Sequence, residues 1–280
     1  MLSVTLALVA AVGYGVSDFM GGVLSRRIDA LRVVIVSYPL SIPLVGALVP
    51  FAGGTVTRGS LIWAVVAGAA SALAIWWYYL ALVDGPMSVV SPVTAVLVAG
   101  IPAIVGFAAG ERPGGLAVVG IGVALIAVLL VGREPPRPDA QTRFSPPVML
   151  LTVGAGTAFA VYFVGLHQID AGGGLVPLLV SRVAATVVIW TIAATRRTFD
   201  PPRGPALWAT IVIAVLDVIA NLAMYYAYQG GMLALVSVLG ALYPAATVLL
   251  ATVVLRERVS RLQQTGMVLA LGSVALIVAG

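Results

Sequence analysis

Residues 61–87 read LIWAVVAGAASALAIWWYYLALVDGPM. From Leu61 to Val83 there is no charged residue and no alternation of apolar and polar positions that would mark a half-buried strand. A helix of that length rises roughly 34 Å at ~1.5 Å per residue, enough to cross a hydrocarbon core of ~30 Å. Asp84, Gly85 and Pro86 then interrupt it with turn chemistry.

The same reading extends over the whole chain of 280 residues, of which 61% are hydrophobic and 9% charged. A soluble domain usually carries about 25% charged residues, so its surface could not be coated here. Lipid tolerates only helices or a closed barrel, and the continuous apolar runs select helices. The expected fold is an all-α integral membrane protein with ten transmembrane helices. The spans are placed at 4–23, 33–51, 61–83, 86–109 and 115–131, then 147–166, 174–195, 205–229, 232–255 and 259–279. The first run lacks a charged leader and a small-residue cleavage site before polar sequence, so it reads as a retained helix.

The one long connection, GREPPRPDAQTRFSPP at 132–147, is Pro-rich and charged. It divides the chain into a first five-helix repeat at 1–132, a linker at 133–146 and a second repeat at 147–280. Shifting the first half by 146 places Tyr79 on Tyr225, Gly85 on Gly231, Ser91 on Ser237, Glu111-Arg112 on Glu257-Arg258 and Gly120 on Gly266. Near the start of each half a shift of 144 aligns Phe19 with Phe163, Gly21 with Gly165 and Ser37 with Ser181. Five is odd, so the second copy enters the membrane inverted, and inverted repeats belong to secondary transporters with a site near midplane.

All fifteen basic residues are arginine, spread over short loops rather than gathered in a patch, so the net charge of +5 does not point to nucleic acid. Twelve lie in loops on one side, Arg58 and Arg112 lie on the other, and Arg182 lies inside a span. The positive-inside rule puts the twelve in the cytoplasm and both termini outside. The expected location is a bacterial cytoplasmic membrane, with the chain multi-pass in the bilayer. Without cysteine and with one histidine, no metal or cofactor is expected.

Three residues of fully charged type fall inside spans: Asp18, Arg182 and Asp217. Such residues usually face a partner or a pathway. Depth counting brings Arg182 and Asp217 to a similar level, so they are expected to pair, either for transport or as a lock between helices. Asp217, Asn221 and Tyr225 recur at i, i+4 and i+8 and define a candidate substrate wall, the alternative being a polar helix seam. Tyr79 is a further substrate candidate, or part of an interfacial aromatic belt. Asp18, with Tyr14 and Ser17, is assigned to proton coupling or a gate near the arginine-rich side. Pro39 and Pro43 are candidate hinges, because proline removes a helix bond. Glu111 and Glu257 are read as structural charges at the starts of the helices that follow them. His167 is read as interfacial.

The chain shows Y-x-A-L-x-x-G at Tyr79–Gly85, a Ser91-Pro92 pair and Gly110-Glu111-Arg112, and the second half repeats the pattern from Tyr225 to Gly231 with Tyr243-Pro244 and Arg256-Glu257-Arg258. With GVSDFMGG at 15–22, this pattern resembles the drug/metabolite transporter superfamily, EamA type. The resemblance implies transport of small metabolites, amino acids or drugs by alternating access, in either direction, and termini inside for many members. Val98 and Arg256 depart from the usual proline and glycine. The small multidrug resistance proteins, distant relatives by resemblance, use a first-helix acid for proton exchange, which makes protons a candidate coupling ion for Asp18. A polytopic membrane enzyme and a passive channel are the other readings. No paired catalytic carboxylates, nucleophile elbow or phosphate loop occurs. A monomer suffices for a duplicated unit.

Overall fold

The computed structural model describes residues 1–25, 28–85, 87–132, 145–255 and 259–280. These form twelve helices: α1 (Leu2–Ser25), α2 (Ala30–Gly46), α3 (Val49–Ala52), α4 (Arg58–Asp84), α5 (Met87–Ala108), α6 (Gly115–Gly132), α7 (Pro146–His167), α8 (Val176–Arg196), α9 (Pro205–Gly230), α10 (Leu233–Gly240), α11 (Tyr243–Leu255) and α12 (Arg261–Ala279). No strand occurs among the described residues. Eight segments there are long and apolar enough to cross a membrane, and Leu31–Gly46 and Val93–Ala108 are shorter apolar helices.

Helix starts follow local chemistry. Asp29 accepts a bond from the Leu31 amide at 2.8 Å, Thr57 caps α4 through the Ser60 amide at 3.1 Å, and Ser260 with Gln263 forms a capping box on α12. Proline opens α7, α8 and α9, where its missing N–H costs nothing. Two expected spans depart from continuity. The segment 33–51 ends its helix at Gly46 and resumes as the short α3. The segment 232–255 breaks between α10 and α11, where Pro244 cannot donate to the Gly240 carbonyl one turn back.

Small residues set how closely the helices approach. A Cβ on Gly13 of α1 would lie 2.9 Å from the Ala220 Cβ of α9. One on Gly165 of α7 would lie 3.0 Å from the Ala67 Cβ of α4. Between α6 and α12 the contacts are reciprocal. A Cβ on Gly120 would meet Ile277 and Leu276, and one on Gly266 would meet Val131 and Leu130. Gly85 packs on Ala81, Val90 and Val148, while Gly231 packs on Ala227, Val236 and Ser3. Lipid tails are as apolar as leucine, so close van der Waals packing of this kind, not hydrophobic exclusion, holds such helices together.

Pro39 and Pro43 both lie inside α2. Pro39 leaves the Ile35 carbonyl without its helical donor. Trp190 of α8 supplies one, donating its indole N–H to Ile35 O at 3.1 Å. The turn of α2 that precedes Pro39 is thereby tied to the neighbouring helix. Trp190→Phe should destabilise the protein by about 1–3 kcal/mol, the cost of an unpaired buried carbonyl. In a Pro39→Ala background, where residue 39 again has an N–H, the same change should cost much less. Denaturant unfolding in detergent measures both; equal losses in the two backgrounds would contradict the account.

Candidate functional site: a buried guanidinium at a four-helix junction

On α8 the buried face runs Leu178, Ser181, Arg182, Ala185, Thr186 and Ile189, so the helix register carries Arg182 inward with its apolar neighbours. Its side chain is 3% exposed. Arginine stays charged at any accessible pH, so the protein must supply the partners. Arg182 Nη2 donates to Asn221 Oδ1 at 2.8 Å and to the Tyr162 hydroxyl at 2.9 Å. Nη1 reaches Asp217 Oδ2 at 3.4 Å. The guanidinium carbon lies 5.8 Å from the Tyr162 ring centroid. The Nε–H is buried without a partner.

Asn221 Oδ1 is the hub. It also accepts from the Tyr14 hydroxyl at 3.0 Å and from the Tyr162 hydroxyl. Asn221 Nδ2 donates to the Asp217 carbonyl one turn back at 2.6 Å. Residues of α1, α7, α8 and α9 therefore converge on one junction. The expected Arg182–Asp217 pair is present, and it is one contact of a larger network. Tyr162 was not among the sequence candidates, because one more tyrosine in an apolar helix carries no signal of its own.

The two aspartates face inward. On α9 the exposed residues Trp208, Val212, Val215, Ile219 and Tyr226 mark the lipid face, and at ~100° per residue Asp217 points away from it. On α1, Leu2, Val9 and Val12 mark the lipid face, and Asp18 lies on the opposite side. Yet the Asp217 side chain is 33% exposed and Asp18 is exposed as well. Both carboxylates are thus accessible on the inward faces of α1 and α9. The Gly13–Ala220 contact sets the register of the antiparallel pair α1 and α9. Asp18, five residues on from Gly13, comes level with about residue 215, within about 3 Å of Asp217 along the axis. Arg26 and Arg27, which follow Asp18 on the arginine-rich side, lie outside the described residues.

Other candidates sit elsewhere. Tyr225 is buried and donates its hydroxyl to the Gly174 carbonyl at 2.7 Å, away from the junction. An i+8 step rises about 12 Å and turns about 80°, which removes it from the Asp217 face. Tyr79 packs with Tyr38, Trp76 and Ile189 in the apolar seam of α2, α4 and α8, and does not bond to the junction. Ser17 is buried on a different face of α1 from Asp18. Glu111 does not cap the helix after it. Its carboxylate accepts from the Leu233 and Ala234 amides at 2.5 and 2.9 Å, so it caps α10 of the other half. Glu257 lies outside the described residues. His167 is half-buried, 4.0 Å from Glu111 and edge-on to Tyr228. No metal-binding cluster exists among the described residues.

The arginine-poor end is tightly joined. The Thr55 amide donates to Gly172 O at 2.9 Å, and Gly174, at φ +60, lies too close to the Gly53 carbonyl to carry a side chain. Asp170 Oδ2 accepts from Thr57 at 2.5 Å and from Ser60 at 2.9 Å. The Thr57 and Ser60 hydroxyls hold the Asp170 carboxyl below the ordinary carboxylate range. A depressed pKa of this kind adds stability above the unfolded value, lost only as pH falls through the acid range. Both chain ends lie on this side, Ser3 beside Gly231 and Gly280 beside Gly114. At the other end Arg32 bridges to Asp200.

A family model, described as the EamA-like transporter family, matches residues 146–279. The match covers the second half of the chain, which is thus similar to an EamA-type transporter domain. The family is one of transporters, not enzymes, within the drug/metabolite transporter superfamily. Among solved structures, a crystal structure described only as that of a protein aligns with a TM-score of 0.74 at 17% identity, covering 98% of this chain and 94% of its own. At that identity the likeness speaks for the fold alone. No curated protein sequence matches. The matched segment spans α7 to α12, and so contains Tyr162, Arg182, Asp217 and Asn221.

Asn221→Leu removes the acceptor shared by Arg182, Tyr14 and Tyr162. Unfolding in detergent should register a loss of about 1.5–3 kcal/mol for the bond to the charged guanidinium alone. Tyr14→Phe, which deletes one neutral bond, should lose about 0.5–1.5 kcal/mol. The reverse order would remove Asn221 as the hub.

Proposed function

We propose that the protein is a secondary-active transporter of small metabolites, amino acids or drugs, working by alternating access around the inward-facing Asp18, Asp217 and Arg182. The observation that carries this reading is the pairing of two accessible, inward carboxylates at mid-bundle with an arginine-poor end knit shut by backbone and side-chain bonds. Accessible inward carboxylates beside one end held closed are what one state of such a carrier requires.

The architecture proposed is ten crossings in two inverted repeats, 1–132 and 147–280, joined by the linker at 133–146. The reciprocal contacts of Gly120 and Gly266, and the matched surroundings of Gly85 and Gly231, support it. So does the pairing of helices: α1 packs on α9 as α7 packs on α4, while α6 pairs with α12. The arginine-rich end would face the cytoplasm of a bacterial cell and the termini would face out. Pro39 and Pro43 would serve as hinges, and the duplicated unit would work as a monomer. The direction that fits a small-solute or drug carrier of this type is export or exchange.

Asp18 is the proposed coupling carboxylate. If proton exchange runs through it, Asp18→Asn should flatten the pH dependence of transport; an unchanged pH profile would remove protons from that role. The wider reading is tested by flux into proteoliposomes. A carrier saturates and shows counterflow, the faster uptake of label against a preloaded substrate. Flux that rises linearly with concentration and shows no counterflow would favour a channel.

A further inference from the structure

Three positions of the second half's network fall on polar residues of the first, none of them a cation, while its hub Asn221 falls on Ile75. The shift of 144 that aligns Phe19 with Phe163 and Ser37 with Ser181 also places Asp18 on Tyr162 and Tyr38 on Arg182. The shift of 146 places Ser71 on Asp217. In the second half the guanidinium at Arg182 bonds to Tyr162 and to Asp217. In the first half a tyrosine stands at the guanidinium position. The carboxylate at Asp18 has no hydrogen bond or ion pair among the described residues.

A lone carboxylate within a membrane-spanning helix is costly unless something neutralises it. Water in the accessible space lowers that cost without cancelling the charge. Arg182 cannot cancel it, being 3% exposed and already bonded to Asp217, Asn221 and Tyr162. Among the described residues the charged group that acts on Asp18 is Asp217, which has the same sign. Asp18, Asp217 and Arg182, the charged side chains described at this level, therefore comprise two carboxylates and one guanidinium.

The surroundings of Asp18 are aromatic. The start of α11 crosses α1 one turn before it: Thr247 donates to the Gly15 carbonyl at 3.1 Å, and a Cβ on Gly15 would lie 2.7 Å from the Tyr243 carbonyl. Tyr243 and Tyr79 both lie within electrostatic reach of the Asp18 carboxylate, and the Tyr79 ring is 6.1 Å from that of Tyr78. Tyrosines near a carboxylate that has no partner among the described residues suit a cation with an apolar body, by charge and by attraction to ring faces.

We propose that the substrate supplies the missing cation: it is a monovalent organic amine whose ammonium docks on Asp18, and it needs no carboxylate of its own. This rests on the transporter reading and narrows it. A zwitterion would have to present its anionic end either to a guanidinium that is already occupied and buried, or to the carboxylates themselves.

Four matched probes test this by thermal shift of the purified protein in detergent: phenethylamine, phenylalanine methyl ester, phenylalanine and phenylpropionate. The amine and the ester should stabilise the wild type, phenylalanine should bind at least tenfold more weakly, and phenylpropionate should not bind. Asp18→Asn should lose at least tenfold in amine affinity, whereas Asp18→Glu should keep most of it. The unliganded melting temperature of each variant shows whether it is folded. Equal binding of the amine to the wild type and Asp18→Asn overturns the proposal. So does phenylpropionate or phenylalanine binding as well as the amine, and so does no binding by either amine probe. Counterflow separates this from the reading beneath it. If another solute exchanges while the amines do not bind, only the cation assignment fails. If the amines bind and nothing exchanges, the transport reading fails instead.

Discussion

The constraint on which this molecule turns is the charge of Arg182. A guanidinium cannot shed its proton and cannot be left unpaired among apolar helices without a penalty of several kcal/mol. The fold meets that demand by bringing Tyr162, Asn221 and Asp217 to it from two other helices, with Tyr14 of a fourth joining through Asn221. Each of those helices has to hold its register for the network to close. The network thus fixes how α1, α7, α8 and α9 stand against one another, and it does so at the depth where the two inward carboxylates lie.

Packing makes that depth reachable. Gly13 on Ala220 and Gly165 on Ala67 let backbones approach within reach of short polar contacts. The arginine-poor end is fastened by Asp170, Thr57, Ser60 and the Gly53–Gly174 approach, and by the Glu111 cap on α10. These ties join segments of the two halves. They are hydrogen bonds at a wet end of the bundle, individually modest, and so can be broken and remade as a carrier requires.

Much of this was legible in the sequence for a physical reason. Ionisable residues in long apolar runs are rare, so Arg182, Asp217 and Asp18 stood out, and the pairing of the first two followed from depth counting. The apolar runs placed the helices. What could not be read was whatever depends on contacts across the fold. Tyr162 is an ordinary residue type, and only its correspondence with Asp18 sets it apart. Tyr225 shared a stripe with Asp217 in the sequence, but a slow helical drift carried it to another partner. Glu111 suited the start of its own next helix by charge, while its true target is 122 residues away. The break at Pro244 was visible as a motif without its consequence for α10 and α11.

The central claim is that the inner faces of α1 and α9 are wet at mid-bundle while their outer faces meet lipid. The chain has no cysteine, so single cysteines report accessibility without background. Asp217→Cys and Val215→Cys differ in depth by about 3 Å and point in opposite directions. A water-soluble, membrane-impermeant thiol reagent should modify residue 217 rapidly in membranes and leave residue 215 unmodified. Equal modification at both positions, or modification at 215 alone, would contradict the account.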